Sequence, residues 1–161
     1  QAKDDAPHYQ HSIVGYNYRL SNVCAGIGRG QMEVIDERVA QRRANHEFYK
    51  EIFKNQEGVE LFTEPSLDFQ SNHWLNAIII HPEKTNNKDR EFWRLAFAQD
   101  NIETRPLWKP MHLQPLFANK MYFGVNIAET LFSKGLCLPS GSNLTVEDKE
   151  RIYKVIKKLI E

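Results

Sequence analysis

No charge of either sign dominates this sequence. Its 21 lysines and arginines equal its 21 aspartates and glutamates, so the formal charge is zero. A nucleic-acid binder concentrates a basic excess on one face, so the balance argues against that class. The local basic runs, Arg42-Arg43 and Lys157-Lys158, lie among acids in helix-like segments and read as solvated faces. Long apolar runs are also missing, and none approaches the roughly 20 residues of a membrane span. The polar opening, Gln-Ala-Lys-Asp-Asp-Ala-Pro-His, lacks the apolar core of a signal peptide. Cysteine is scarce. Cys24 and Cys137 stand far apart in apolar neighbourhoods without ligand spacing, which predicts buried free thiols in a reducing compartment. The 161 residues suffice for one compact domain with a core, and no internal repeat is visible. These absences lead to the expectation of a soluble cytoplasmic domain with no nucleic-acid or membrane partner.

Catalytic and metal signatures are equally sparse. His8, His11, His46 and His112 form no H-x-x-x-H or H-E-x-x-H pair. His73 and His81 flank one strand-like run, roughly 30 Å apart if it is extended, so both cannot ligate one ion. No metal is expected. Pro139-Ser140-Gly141-Ser142 is no nucleophile elbow, and Cys137 between two leucines is an inert thiol. Gly26, Gly28 and Gly30 have the spacing G-x-G-x-G and no preceding strand, unlike the dinucleotide fingerprint. Their small size favours helix or subunit packing instead.

The periodicity alternates helix and strand. Apolar residues recur at three- and four-residue steps from Ser21 to Asn55, as one bent helix or two, with the glycines as the expected weak point. Strands are predicted at Val59–Phe62, within His73–His81, at Ile102–Leu107 and at Leu136–Leu138. Helices are predicted over Lys88–Gln99, with Asn87 as cap, and over Asn126–Lys134, stopped by Gly135. A final helix begins at a Thr145…Asp148 capping box and carries Ile152, Val155, Ile156 and Leu159 as its stripe. The fold class is α/β, one sheet with helices against it.

Two loop segments are too polar and too aromatic for plain connections. One is Gly15-Tyr16-Asn17-Tyr18-Arg19-Leu20-Ser21-Asn22, and the other runs from Glu103 through Thr104-Arg105-Pro106-Leu107-Trp108 to His112 and Pro115. Both combine rings that stack with donors that hold anions or hydroxyls, and Arg19 precedes a helix start. The plainer alternative is local ring packing with turn capping.

The same segments resemble a known family. Gly15 to Asn22, followed by Ala25-Gly26-Ile27-Gly28 and Gln31-Met32-Glu33, is similar to the G-x-N-x-R signature of DegT/DnrJ/EryC1/StrS aminotransferases. Arg42-Arg43 with Tyr49, the block from Thr104 to Pro115, and Gly135 to Gly141 follow in the family's order. The resemblance implies the small C-terminal domain of the type I, aspartate-aminotransferase-like fold: a long N-terminal helix plus a small sheet with helices packed against it. Residues 1–20 would trail from a large domain, and residues 21–161 would form the small one. It further implies a homodimer that uses pyridoxal 5'-phosphate to move an amino group, usually from glutamate, to a nucleotide-linked keto sugar. The product would serve surface polysaccharide, glycan or antibiotic-sugar synthesis, and the pattern is most similar to enzymes making 4-amino-4,6-dideoxy sugars on UDP.

By that resemblance Asn17 and Arg19 contact the cofactor phosphate of the neighbouring subunit. Tyr16 and Tyr18 stand at the active-site mouth, and Arg105, Trp108 and His112 serve the sugar-nucleotide side. The family's Schiff-base lysine, its ring-nitrogen acid and its stacking aromatic have no counterparts here. The expectation is therefore a C-terminal portion that binds no cofactor and is inactive alone. The alternative is a stand-alone sugar-nucleotide-binding or dimerisation module without catalysis.

Overall fold

A computed structural model describes residues 13–16, 18–117 and 119–161. The chain divides into two compact units, residues 1–35 and 36–161. In the first, the helix α1 (Asn22–Met32) starts where the Ser21 side chain accepts from the Cys24 backbone N–H. None of its residues is buried, so Val23, Ile27 and Met32 present apolar side chains outward. The cysteine expectation is corrected here: Cys24 is exposed and only Cys137 is buried. A helix with no covered face has nowhere to bury a thiol.

The expected long helix is two. Helix α2 (Ile35–Phe53) follows a turn at Glu33 and Val34, whose N–H groups bond to the Arg29 and Gln31 carbonyls. The glycines are not the break. They stay inside α1, because a helical glycine weakens the ladder by about 1 kcal/mol without removing its hydrogen bonds.

Four strands form one antiparallel sheet in the order β1-β2-β4-β3: β1 (Val59–Leu61), β2 (Asn76–Ile80), β3 (Arg105–Pro106) and β4 (Gly135–Leu138). In β2 and β4, Ile78 faces Leu136 and Asn76 faces Leu138. The period of two puts Ile78, Ile80, Leu136 and Leu138 on one face. Tyr49 and Phe53 of α2, Trp93 and Phe97 of α3 (Arg90–Gln99), and the Ile152, Val155, Ile156 and Leu159 stripe of α5 (Val146–Ile160) join the same core. Each isoleucine or leucine sealed there contributes roughly 1.5–3 kcal/mol. Helix α4 (Ile127–Lys134) lies against β2 and β4.

Gly135, at the join of α4 and β4, is required by close approach. A Cβ there would overlap the Leu107 side chain and the Leu131 carbonyl. The Thr145–Asp148 capping box of α5 is present as predicted. Two boundaries differ from expectation. Asn86 and Asn87 both adopt left-handed backbone to finish a turn, so Asp89 caps α3 by accepting from Phe92 N–H. Strand β3 is only two residues long because the Ile102 N–H is spent on the Phe97 carbonyl, closing α3.

Candidate functional site

In the first unit, the rings of Tyr16 and Tyr18 lie 5.8 Å apart with a 31° tilt, and both are exposed. Arg19 is exposed beside them in sequence, and Asn17 lies outside the described residues.

In the second unit, β3 and the loop after it carry the other candidates. Arg105 is exposed, and its Nε donates to Glu103 Oε1 at 2.7 Å. Trp108 is exposed and lies 6.2 Å from the Trp74 ring. A pocket of about 450 Å³ brings Arg105 and Trp108 together with Thr104, Leu75, Cys137 and Ser140. Within it, burial pushes the Cys137 thiol up, as its leucine neighbours predicted. The Thr104 Oγ1 is buried there without a partner among the described residues. His112 does not line this pocket. Its Nε2 lies 2.8 Å from Glu129 of α4, and its ring stacks on Tyr122 at 3.8 Å. Neither Glu129 of α4 nor Tyr122 of the preceding loop had a sequence signal, because only the fold brings them to His112.

Arg42 and Arg43 are not merely solvated. Their guanidinium groups donate to the Trp74 and Ser71 carbonyls, tying α2 to the segment before β2. Periodicity places them on an outward face, but it cannot see a loop that folds back over that face.

The same tie creates a cluster that spacing could not reveal. His46 of α2 and His73 before β2 are both buried and stack at 3.6 Å with a 10° interplanar angle. His73 Nε2 is 3.1 Å from the Glu64 carboxylate, and Arg43 is 3.5 Å from it. Burial, and then the neighbouring His46, push the His73 imidazole below its ordinary pKa, while Glu64 opposes the shift. Backbone N–H groups, its own and that of Ser71, hold the Glu64 carboxyl below the usual range, with His73 and Arg43 adding to the effect.

Pyridoxal phosphate chemistry needs an available lysine amine beside the substrate. No lysine lines the pocket of Arg105 and Trp108. Lys88 donates to the Leu159 carbonyl, and Lys134 pairs with Glu83. No helix among the described residues is long and apolar enough to cross a membrane.

Comparison with known proteins finds relatives of this chain. The model of the DegT/DnrJ/EryC1/StrS aminotransferase family fits residues 1–157. EpsN of Bacillus subtilis (strain 168), provisionally named a pyridoxal phosphate-dependent aminotransferase, is 41% identical over 97% of this chain and 40% of its own length. GDP-perosamine synthase of Escherichia coli O157:H7 is 34% identical over 86% of this chain and 36% of its own. The crystal structure of the aminotransferase TlmJ from Streptoalloteichus hindustanus superposes with a TM-score of 0.83 at 18% identity, over 98% of this chain and 41% of that one. The chain thus spans about 40% of the length of relatives it matches. With the fold shared and the family's model matched almost from end to end, this chain belongs to the DegT/DnrJ/EryC1/StrS aminotransferase family.

Proposed function

We propose that these residues are the substrate-side portion of a pyridoxal-phosphate-dependent aminotransferase. The whole enzyme would transfer an amino group from glutamate to a nucleotide-linked keto sugar, for surface polysaccharide or glycan synthesis, and act as a homodimer in the cytoplasm. The observation that carries this reading is the family match over residues 1–157. The identity to a GDP-perosamine synthase supports the nucleotide-sugar class.

In this reading Arg105 offers a guanidinium whose planar donors suit a diphosphate, since its bond to Glu103 uses only part of the fork. Trp108 presents an exposed ring on which a base can stack. His112, oriented by the Glu129 carboxylate that Nε2–H meets and by Tyr122, leaves Nδ1 to accept from a sugar hydroxyl. By the family resemblance Tyr16 and Tyr18 would stand at the active-site mouth of the whole enzyme, and Asn17 and Arg19 would serve the cofactor phosphate of the neighbouring subunit. The reactive lysine, the acid at the ring nitrogen and the stacking aromatic come from outside these residues. Without them the segment binds and orients but does not transaminate.

The second reading, a binding module without catalysis, is favoured by the lack of a lysine in the Arg105–Trp108 pocket. One experiment separates the two. The natural full-length protein is incubated with glutamate, cofactor and 4-keto-6-deoxy sugars on GDP or UDP, and the product is read by mass spectrometry. Amination of either sugar supports the enzyme. Saturable sugar-nucleotide binding with no amination would replace it with the module.

A further inference from the structure

Three side chains that the aminotransferase reading leaves unused meet beside the sheet. They are His46 on α2, Glu64 after β1 and His73 before β2. Each offers one donor atom, and the three atoms lie within 4.8 Å of one another. Both imidazoles are buried, and the Glu64 side chain is partly covered. All three border a cleft of about 750 Å³, which gives a solvent path to the cluster.

The supporting shell is already built. Ser140 Oγ donates to the Leu138 carbonyl, so it accepts from the Asn76 N–H and from Asn76 Nδ2. The Asn76 amide oxygen is thereby turned toward His46 Nδ1 at 2.8 Å, which must carry the proton. His46 Nε2 is left as a lone-pair donor, the arrangement that metal-binding histidines use. Glu64 is steadied in the same way by the Ser71 N–H.

We propose that His46, Glu64 and His73 form a binding site for one divalent transition-metal ion of the Zn²⁺ class, with its fourth position open to the cleft. Two imidazoles and one carboxylate suit Zn²⁺ or Co²⁺, whereas Mg²⁺ and Ca²⁺ require more oxygen ligands. Bond lengths of about 2.0–2.2 Å place tetrahedral donors roughly 3.3 Å apart, so the cluster must contract as the ion enters. His73 must also turn, because stacked rings aim their lone pairs in parallel. It can do so from a loop, where its backbone is left-handed at φ 47°, whereas His46 is pinned by Asn76. Arg43 lies 3.5 Å from the Glu64 oxygen and also donates to the Ser71 carbonyl, so it competes for the carboxylate while holding the segment that leads to His73.

The full-length protein is stripped with a chelator and titrated with Zn²⁺, and with Mg²⁺ as control, by calorimetry. Co²⁺ substitution then reports tetrahedral coordination by visible absorption. The expected result is one Zn²⁺ per chain beyond any retained by a His46→Gln variant, and no Mg²⁺ binding. Affinity should fall at least about tenfold in Glu64→Gln. Circular dichroism checks that each variant is folded. Absence of Zn²⁺ binding, or wild-type affinity in folded His46→Gln and Glu64→Gln, overturns the site. Activity plays no part in the readout, so the result is independent of the aminotransferase reading.

Discussion

His46 Nδ1 and the Asn76 side-chain oxygen lie 2.8 Å apart, both residues buried, joining α2 to the first residue of β2. The bond fixes the His46 tautomer and anchors the helix to the sheet. Replacing Asn76 by leucine leaves the His46 N–H buried without an acceptor. Stability should fall by about 1–3 kcal/mol, measured by urea denaturation. An unchanged midpoint would show that water or a rotated ring takes over.

His112 is the residue on which the substrate-side proposal is most exposed. Loss of one neutral hydrogen bond is worth about 0.5–1.5 kcal/mol, or roughly 2–12-fold. His112→Ala in the full-length enzyme should lower kcat/KM for the sugar nucleotide by that range, with cofactor content unchanged. Steady-state kinetics alongside the cofactor absorbance decide it. Unaltered kinetics would remove His112 from the substrate site.

The α5 cap gives a test with a defined pH dependence. The backbone and side chain of Thr145 both donate to Asp148, holding its carboxyl below its ordinary 3.8. A lowered folded pKa means that the unfolded chain binds the proton first. The cap therefore contributes fully above pH 3.8, and its contribution is lost as pH falls through the folded value. Asp148→Asn should flatten that part of the stability–pH curve.

The hydroxyl half of the same cap is tested separately. Thr145→Ala removes the acceptor of the Asp148 N–H and should cost about 1 kcal/mol at neutral pH. Thermal unfolding of the two proteins compares them directly, and equal stabilities would mean that solvent replaces the hydroxyl.

Gly135→Ala probes the packing of α4 on the sheet. The added methyl would stand 2.5 Å from the Leu131 carbonyl, and it would overlap the Leu107 side chain. Leu107 can shift but the carbonyl cannot, so a loss of about 1–3 kcal/mol is expected by the usual scale of overpacking. A neutral effect would show that the end of α4 yields.

The amino-acid sequence by itself determined the elements whose signals are local. The α5 capping box, the Gly135 stop and the β-branched run at Ile78, Ile79 and Ile80 depend on neighbours a few residues apart, and each appears where its spacing placed it. The family was also legible, because motifs such as Gly15 to Asn22 are contiguous. Tertiary structure decided what pairing across the chain controls. It shortened β3 by spending the Ile102 N–H on α3, turned Arg42 and Arg43 from a solvated face into ties, and left Cys24 exposed. It also joined His112 to Glu129, and His46 to His73 and Glu64, from separate elements. Periodicity reports which way a side chain faces. It carries no information about which distant group the fold brings to meet it.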